Sequence, residues 1–121
     1  MVSVTEPIVN TAQITEGTLL ISVSGELDLH SVGSLQSALD DAIEKTGEAV
    51  IVDLSEVTLI DSIALGALAR ASRRLRESAG ALAVVASNPD IVRAFEITSL
   101  DRVIPLATTA TEALERLRQP A

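Results

Sequence analysis

The chain has 121 residues, enough for one domain that buries about two-thirds of the surface its unfolded form exposes. It is 47% hydrophobic with a single aromatic residue, Phe95, so the core is aliphatic and the stacking platforms that single-stranded nucleic acid uses are missing. A net charge of −8 opposes a polyphosphate partner, and the absence of cysteine excludes disulfides, thiolate metal sites and thiol redox switches.

Met1 to Asn10 carries neither a basic leader nor a sustained apolar run, so no signal peptide is expected. No stretch approaches the length of a membrane span. The chain reads as a soluble cytoplasmic protein, with residues 1–7 as a tail and one domain over 8–118. Ile8 to Thr15 alternates loosely as an edge strand, Glu16-Gly17 marks a turn, and Leu19, Ile21 and Val23 alternate along a second strand over Thr18 to Ser24. Gly25-Glu26-Leu27-Asp28 closes that strand and turns the chain. Val32, Leu35, Leu39 and Ile43 recur at helical spacing, with Gln36, Asp40, Asp41 and Glu44 on the outer face and Gly47 as a stop.

Ala49 to Leu54 is an apolar run broken only by Asp53, the pattern of a strand covered on both faces. A loop over Glu56 to Ile60 follows, and a helix starts near Asp61, burying Ala64, Ala67, Leu68, Ala71 and Leu75. Gly80 ends it, and Ala81 to Ala86 is a second buried strand. Asn88-Pro89-Asp90 opens a third helix with Ile91, Ala94, Phe95 and Thr98 on its inner side and proline in the first turn. Val103-Ile104 with Pro105 reads as a short edge strand, because proline cannot donate to a ladder. A last helix from about Thr109 to Leu117 buries Ala113, Leu114 and Leu117. Strands alternating with helices of this length require crossovers, so the fold class is α/β: a mixed, mostly parallel sheet of four to five strands with about four helices.

Three segments in order carry a family resemblance: Gly25-Glu26-Leu27-Asp28, then Asp53-Leu54-Ser55 with Asp61-Ser62-Ile63-Ala64-Leu65-Gly66, then Leu100-Asp101-Arg102-Val103-Ile104-Pro105. Together they resemble the STAS domain, the family of bacterial anti-sigma factor antagonists, over about residues 8–118. The resemblance implies a non-enzymatic interaction module that binds an anti-sigma factor serine kinase and so frees a sigma factor for transcription. In that family an Asp-Ser-Ser-Gly-Leu-Gly run carries a phosphorylatable serine at the helix start. Here Ile63 occupies the second serine position, so a phospho-switch is either absent or shifted to Ser62. A third branch is a STAS subunit of a lipid-transport ABC complex or of a stress-signalling scaffold.

The docking surface implied by the resemblance comprises the Glu56–Ile60 loop with Thr58, then Asp61, Ser62, Ile63, Ala64 and Gly66, with Asp28 and the Gly25–His30 turn alongside. Asp61 and Ser62 are also good helix N-caps, Asp53 suits strand-end amides, and Arg70, Arg73, Arg74 and Arg76 suit either a solvated helix face or an acidic partner. Residues 1–61 hold eleven acids and one base, a balance of −10, and residues 62–121 hold six acids and eight arginines, a balance of +2. That acidic half either steers a basic partner or serves solubility.

His30 is the only histidine, and a Ser-His-Asp hydrolase needs it with Asp28 and Ser62; the Gly-x-Ser-x-Gly elbow is absent. So are the glycine-rich phosphate loops. No carboxylate pair has metal or acid–base spacing. The expectation is therefore no catalytic residue, no metal, no cofactor, no small-molecule ligand, no nucleic acid and no membrane insertion.

Overall fold

A computed structural model describes residues 8–46 and 48–118; the expected tail over 1–7 and the expected helix stop at Gly47 lie outside the described residues. Strands β1 (Ile8–Thr15) and β2 (Thr18–Leu27) form the starting hairpin. Helix α1 (Val32–Thr46), β3 (Ala49–Ile60), α2 (Ser62–Glu77), β4 (Ala81–Val85) and α3 (Pro89–Ile97) follow. A short 3-10 helix (Leu100–Arg102), β5 (Leu106–Ala107) and α4 (Ala110–Arg118) complete the chain. The five strands lie in sequence order, β1 antiparallel to β2 and every later neighbour parallel. The mixed, mostly parallel α/β sheet expected from the alternation of elements is thus observed.

The period-2 pattern assigns the strand faces. Leu19, Ile21 and Val23 of β2, Val50 and Val52 of β3, and Leu82 and Val84 of β4 point to one side, where α1, α2 and α3 bury Leu35, Leu39, Leu68, Leu75, Ile91 and Phe95 against them. Ile51, Ala83, Val85 and Ala107 point to the other side, which α4 covers with Ala113, flanked by Leu114 and Leu117. Both faces of β4 and of β3 over Val50 to Val52 are therefore dry, as their unbroken apolar runs require.

In the hairpin turn, Gly17 has φ of 81°, a left-handed conformation that strains any residue with a β-carbon. The same turn is tied to α1 by the Thr46 hydroxyl, which donates to the Gly17 carbonyl at 2.9 Å.

Three expectations are corrected. The segment from Glu56 to Ile60, expected as a loop, is the second half of β3, because β2 runs on to Leu27 and pairs with it as far as Leu27 opposite Ile60. Two irregularities in that ladder hide it from a period-2 reading. At the first, Leu54 and Val57 both reach the core although three positions apart, and the Asp53 carboxylate accepts the Ser55 amide at 2.9 Å and its hydroxyl at 2.6 Å.

The last strand is Leu106–Ala107 rather than Val103–Pro105. The amides of Val103 and Ile104 donate back to the Leu100 carbonyl, which consumes them in the 3-10 turn and drops Ile104 into the core. Pro105 still contributes what a proline has, a carbonyl that accepts from Val84 at 2.9 Å. Finally, Thr98 is not on the inner face of α3. It is the exposed C-cap residue, its hydroxyl donating to the Ala94 carbonyl at 2.8 Å.

Candidate docking site

The carboxyl ends of β2 and β3 lie side by side, and each hands the chain to a helix. These two loops are joined by one side chain. Asp61 is the N-cap of α2, with extended backbone, and its Oδ1 accepts the amides of Ile63 and Ala64 at 3.0 Å each. Its Oδ2 accepts the amide of Leu29, 32 positions earlier in the β2–α1 turn, also at 3.0 Å. The Asp61 amide in turn donates to the Leu27 carbonyl. Capping and loop joining are therefore both performed by this residue.

Asp28 organises the other loop in the same manner. Its Oδ1 accepts the amides of His30 at 2.9 Å and Ser31 at 3.1 Å, and the Ser31 hydroxyl donates to the Glu26 carbonyl at 2.6 Å. Partial burial would raise the Asp28 carboxyl. The hydrogen bonds from the Ser31 hydroxyl and the two amides, with the nearby His30, outweigh it and hold the group below the usual carboxylate range. The turn is thus fixed by an ionised Asp28 at neutral pH.

The frame carries an apolar surface. Leu29 is 63% exposed, Leu59 43% and Ile63 44%, in a chain whose other large aliphatic residues are mostly buried. Leu29 and Ile63 are the residues whose amides Asp61 holds, and Leu59 precedes it by two positions at the end of β3. Ser62, the first residue of α2, is exposed, and its hydroxyl has no hydrogen-bond partner among the described residues. Thr58 is exposed on β3.

Two of the expected contact residues differ from this picture. Ala64 is fully buried, so its methyl belongs to the core and only its amide serves the site, through Asp61. Gly66 is half-buried, and a β-carbon there would meet only the flexible end of Arg70 at 3.4 Å, so its small size is not a steric requirement.

The arginines of α2 separate as well. Arg74 pairs with Asp40 of α1 at 2.6 Å, both side chains about half exposed, while Arg70, Arg73 and Arg76 have no ion pair among the described residues. Asp53 staples a bulge rather than capping a strand end. No hydrogen bond joins His30 to Ser62 among the described residues, and there no group of His, Cys, Asp and Glu could hold a metal ion. No described helix is long and apolar enough to cross a membrane.

Leu29 and Leu59 fall inside the Gly25–His30 and Glu56–Ile60 stretches expected at the surface, though neither is singled out there as a residue. The available signal was an aliphatic residue between two polar ones in a turn, Asp28-Leu29-His30, where it has no periodic core role.

Comparison with known proteins places the fold. The STAS domain model matches residues 10–113. The anti-sigma-B factor antagonist of Listeria monocytogenes is 32% identical over 92 residues, covering 76% of this chain and 81% of that one. The crystal structure of an anti-sigma factor antagonist from Mycobacterium paratuberculosis superposes with a TM-score of 0.84 at 30% identity, covering 94% of this chain and 96% of that one. The Bacillus cell fate determinant SpoIIAA in its phosphorylated form does so with a TM-score of 0.71 at 25% identity, covering 92% and 100%. The family model spans most of the chain and the fold agrees with it: the chain belongs to the STAS domain family.

Proposed function

We propose that the protein is an anti-sigma factor antagonist, which binds a serine-kinase anti-sigma factor and so releases a sigma factor for transcription. The names of its relatives support this reading. The observation that carries it is the exposed Leu29, Leu59 and Ile63 around the Asp61–Ser62 helix start, held by Asp61 from both sides. An apolar centre on a pre-organised backbone suits a protein partner, since little ordering entropy is lost on docking.

The switch differs from the family pattern. Ile63 has no hydroxyl, and Ser62 is the one acceptor left at the helix start. A phosphate at a helix N-terminus is normally stabilised by free amides and the helix dipole. Here the Asp61 carboxylate already takes the Ile63 and Ala64 amides and adds its own negative charge beside Ser62. A phosphoserine at 62 would meet that carboxylate's repulsion. The protein is accordingly an antagonist that its kinase silences weakly or not at all.

Affinity purification from native cells, followed by calorimetric titration with the anti-sigma factor recovered, tests the reading. Ser62→Asp is expected to weaken binding at least tenfold, about 1.4 kcal/mol. Incubation with the kinase and ATP should leave the wild type bound, while Ile63→Ser should become phosphorylated and dissociate. Recovery of a transport ATPase and permease instead would reject the antagonist reading.

A further inference from the structure

The two edges of the sheet are treated differently. β5 is two residues long, and Arg116 of α4 donates to the outward carbonyl of Leu106, so this edge is short and covered. β1 is eight residues long, pairs only with β2, and contains no charge, no proline and no glycine. Natural proteins blunt an open edge with lysine, proline, shortness or a covering element, and among the described residues β1 has none of these over Ile8 to Gln13, where its register with β2 is regular. Asn10, Thr11, Ala12 and Gln13 are all exposed.

Beside this edge runs a groove of about 450 Å³ with β1 as floor, through Val9 and Thr11, and α1 as its one wall, through Ser34, Ala38, Asp41 and Lys45. Among the described residues it has no outer wall.

We infer that β1 and this groove form a self-association surface, whose occupant is a second copy of the chain. A two-fold axis perpendicular to the sheet and passing near Thr11 places the two β1 strands antiparallel and continues the sheet into ten strands. The same operation sets the partner's α1 on the same face, where it supplies the absent wall. No other single rigid unit need be imported, because strand and wall come together in one copy. The wall residues Ser34 and Ala38 are small enough for the helices to approach, and the pair Asp41 and Lys45 brings opposite charges to both sides of the join. Lys45 is the only cation in the first 69 residues, and it stands at this groove. The join is uncharged over Ile8 to Thr15, so the net charge of −8 on each copy acts on it only at long range, where salt screens it. The surface is distinct from the Asp61 site at the carboxyl ends of β2 and β3, and the inference does not depend on the function proposed above.

Sedimentation equilibrium on the full chain at about 5–500 μM, the range suited to a small interface, reads the association directly. A species of twice 12.6 kDa is expected at the upper concentrations. Thr11→Lys and Thr11→Glu each put like charges near the axis and should weaken dimerisation at least tenfold, because opposed like charges across strands repel. Mixing Thr11→Lys chains with Thr11→Glu chains should restore the dimer, which a merely misfolded variant would not do. A monomer at every concentration overturns the inference. So does a dimer that both variants leave intact, or a mixture in which association does not return.

Discussion

Asp61 uses its two carboxylate oxygens on different elements, and the division can be tested by replacing one of them. Oδ1 caps α2 and Oδ2 holds the Leu29 amide. Asparagine caps a helix as well as aspartate does, but its amide nitrogen would stand where Oδ2 was, donor against donor at Leu29. Asp61→Asn should therefore remain within about 1 kcal/mol of wild-type stability in urea titration, since the lost bond lies at the surface where water replaces it. Asp61→Ala loses the cap and the link together, and should cost about 2–3 kcal/mol. In the asparagine variant the Leu29 amide should exchange faster with solvent while the amides of Ile63 and Ala64 stay protected. Equal stability losses in the two variants would reject the split role. The distinction matters for function, because Leu29 is the most exposed member of the apolar surface.

At the scale of elements, the length of β3 decides where the site stands. Without its second half, Leu59 and Asp61 would not reach the end of β2. The continuation depends on Gly25, which faces Val57 at the second irregularity and has φ of 103°, a conformation that side chains with a β-carbon adopt only under strain. Gly25→Ala should cost about 1–3 kcal/mol in urea titration. An unchanged midpoint would show that the ladder can relax around a β-carbon there. The same irregularities explain which parts of the fold were legible in the sequence. The apolar run over Val50 to Leu54 and the helical periods of α1 and α2 are read correctly. Beyond Leu54 the extra residues break the period, and Asp53 and Ser55 look like loop residues although they bond each other to hold a bulge. The last strand was displaced for a related reason, since the aliphatic Val103 and Ile104 belong to a turn whose left-handed Ser99, φ 60°, has no sequence pattern. In the site, Asp61, Ser62 and Ile63 are legible because a capping residue before an apolar helix has a signature. Leu29 and Leu59 are not, because a lone exposed leucine has none.

Across the whole molecule, the uneven charge of the sequence becomes an uneven surface. Helices α1 and α2 pack together, so Asp40 lines a cleft with Arg70 and Arg74, and Arg74 bridges to it at 2.6 Å. That pair is half exposed and contributes at most about 1 kcal/mol. The proposed docking surface belongs to the acidic half: Asp28 and Asp61 hold its frame, Glu26 precedes Asp28 by two positions, and Arg70, two turns into α2, is the first arginine of the chain. Charges on a rim act mainly on the rate of encounter, whereas the apolar centre sets how long the complex lasts. With the anti-sigma factor proposed above as partner, raising salt from about 50 to 500 mM should lower the association rate roughly tenfold and leave dissociation nearly unchanged. Surface plasmon resonance separates the two rates. Glu26→Lys should reproduce the slow association at low salt, and Arg73→Glu, on the far face of α2, should not. If Arg73→Glu slowed encounter instead, the arginine stripe would be the steering surface and the partner's matching patch acidic. The two halves of the sequence therefore make opposite demands on one partner, and a single pair of charge reversals decides between them.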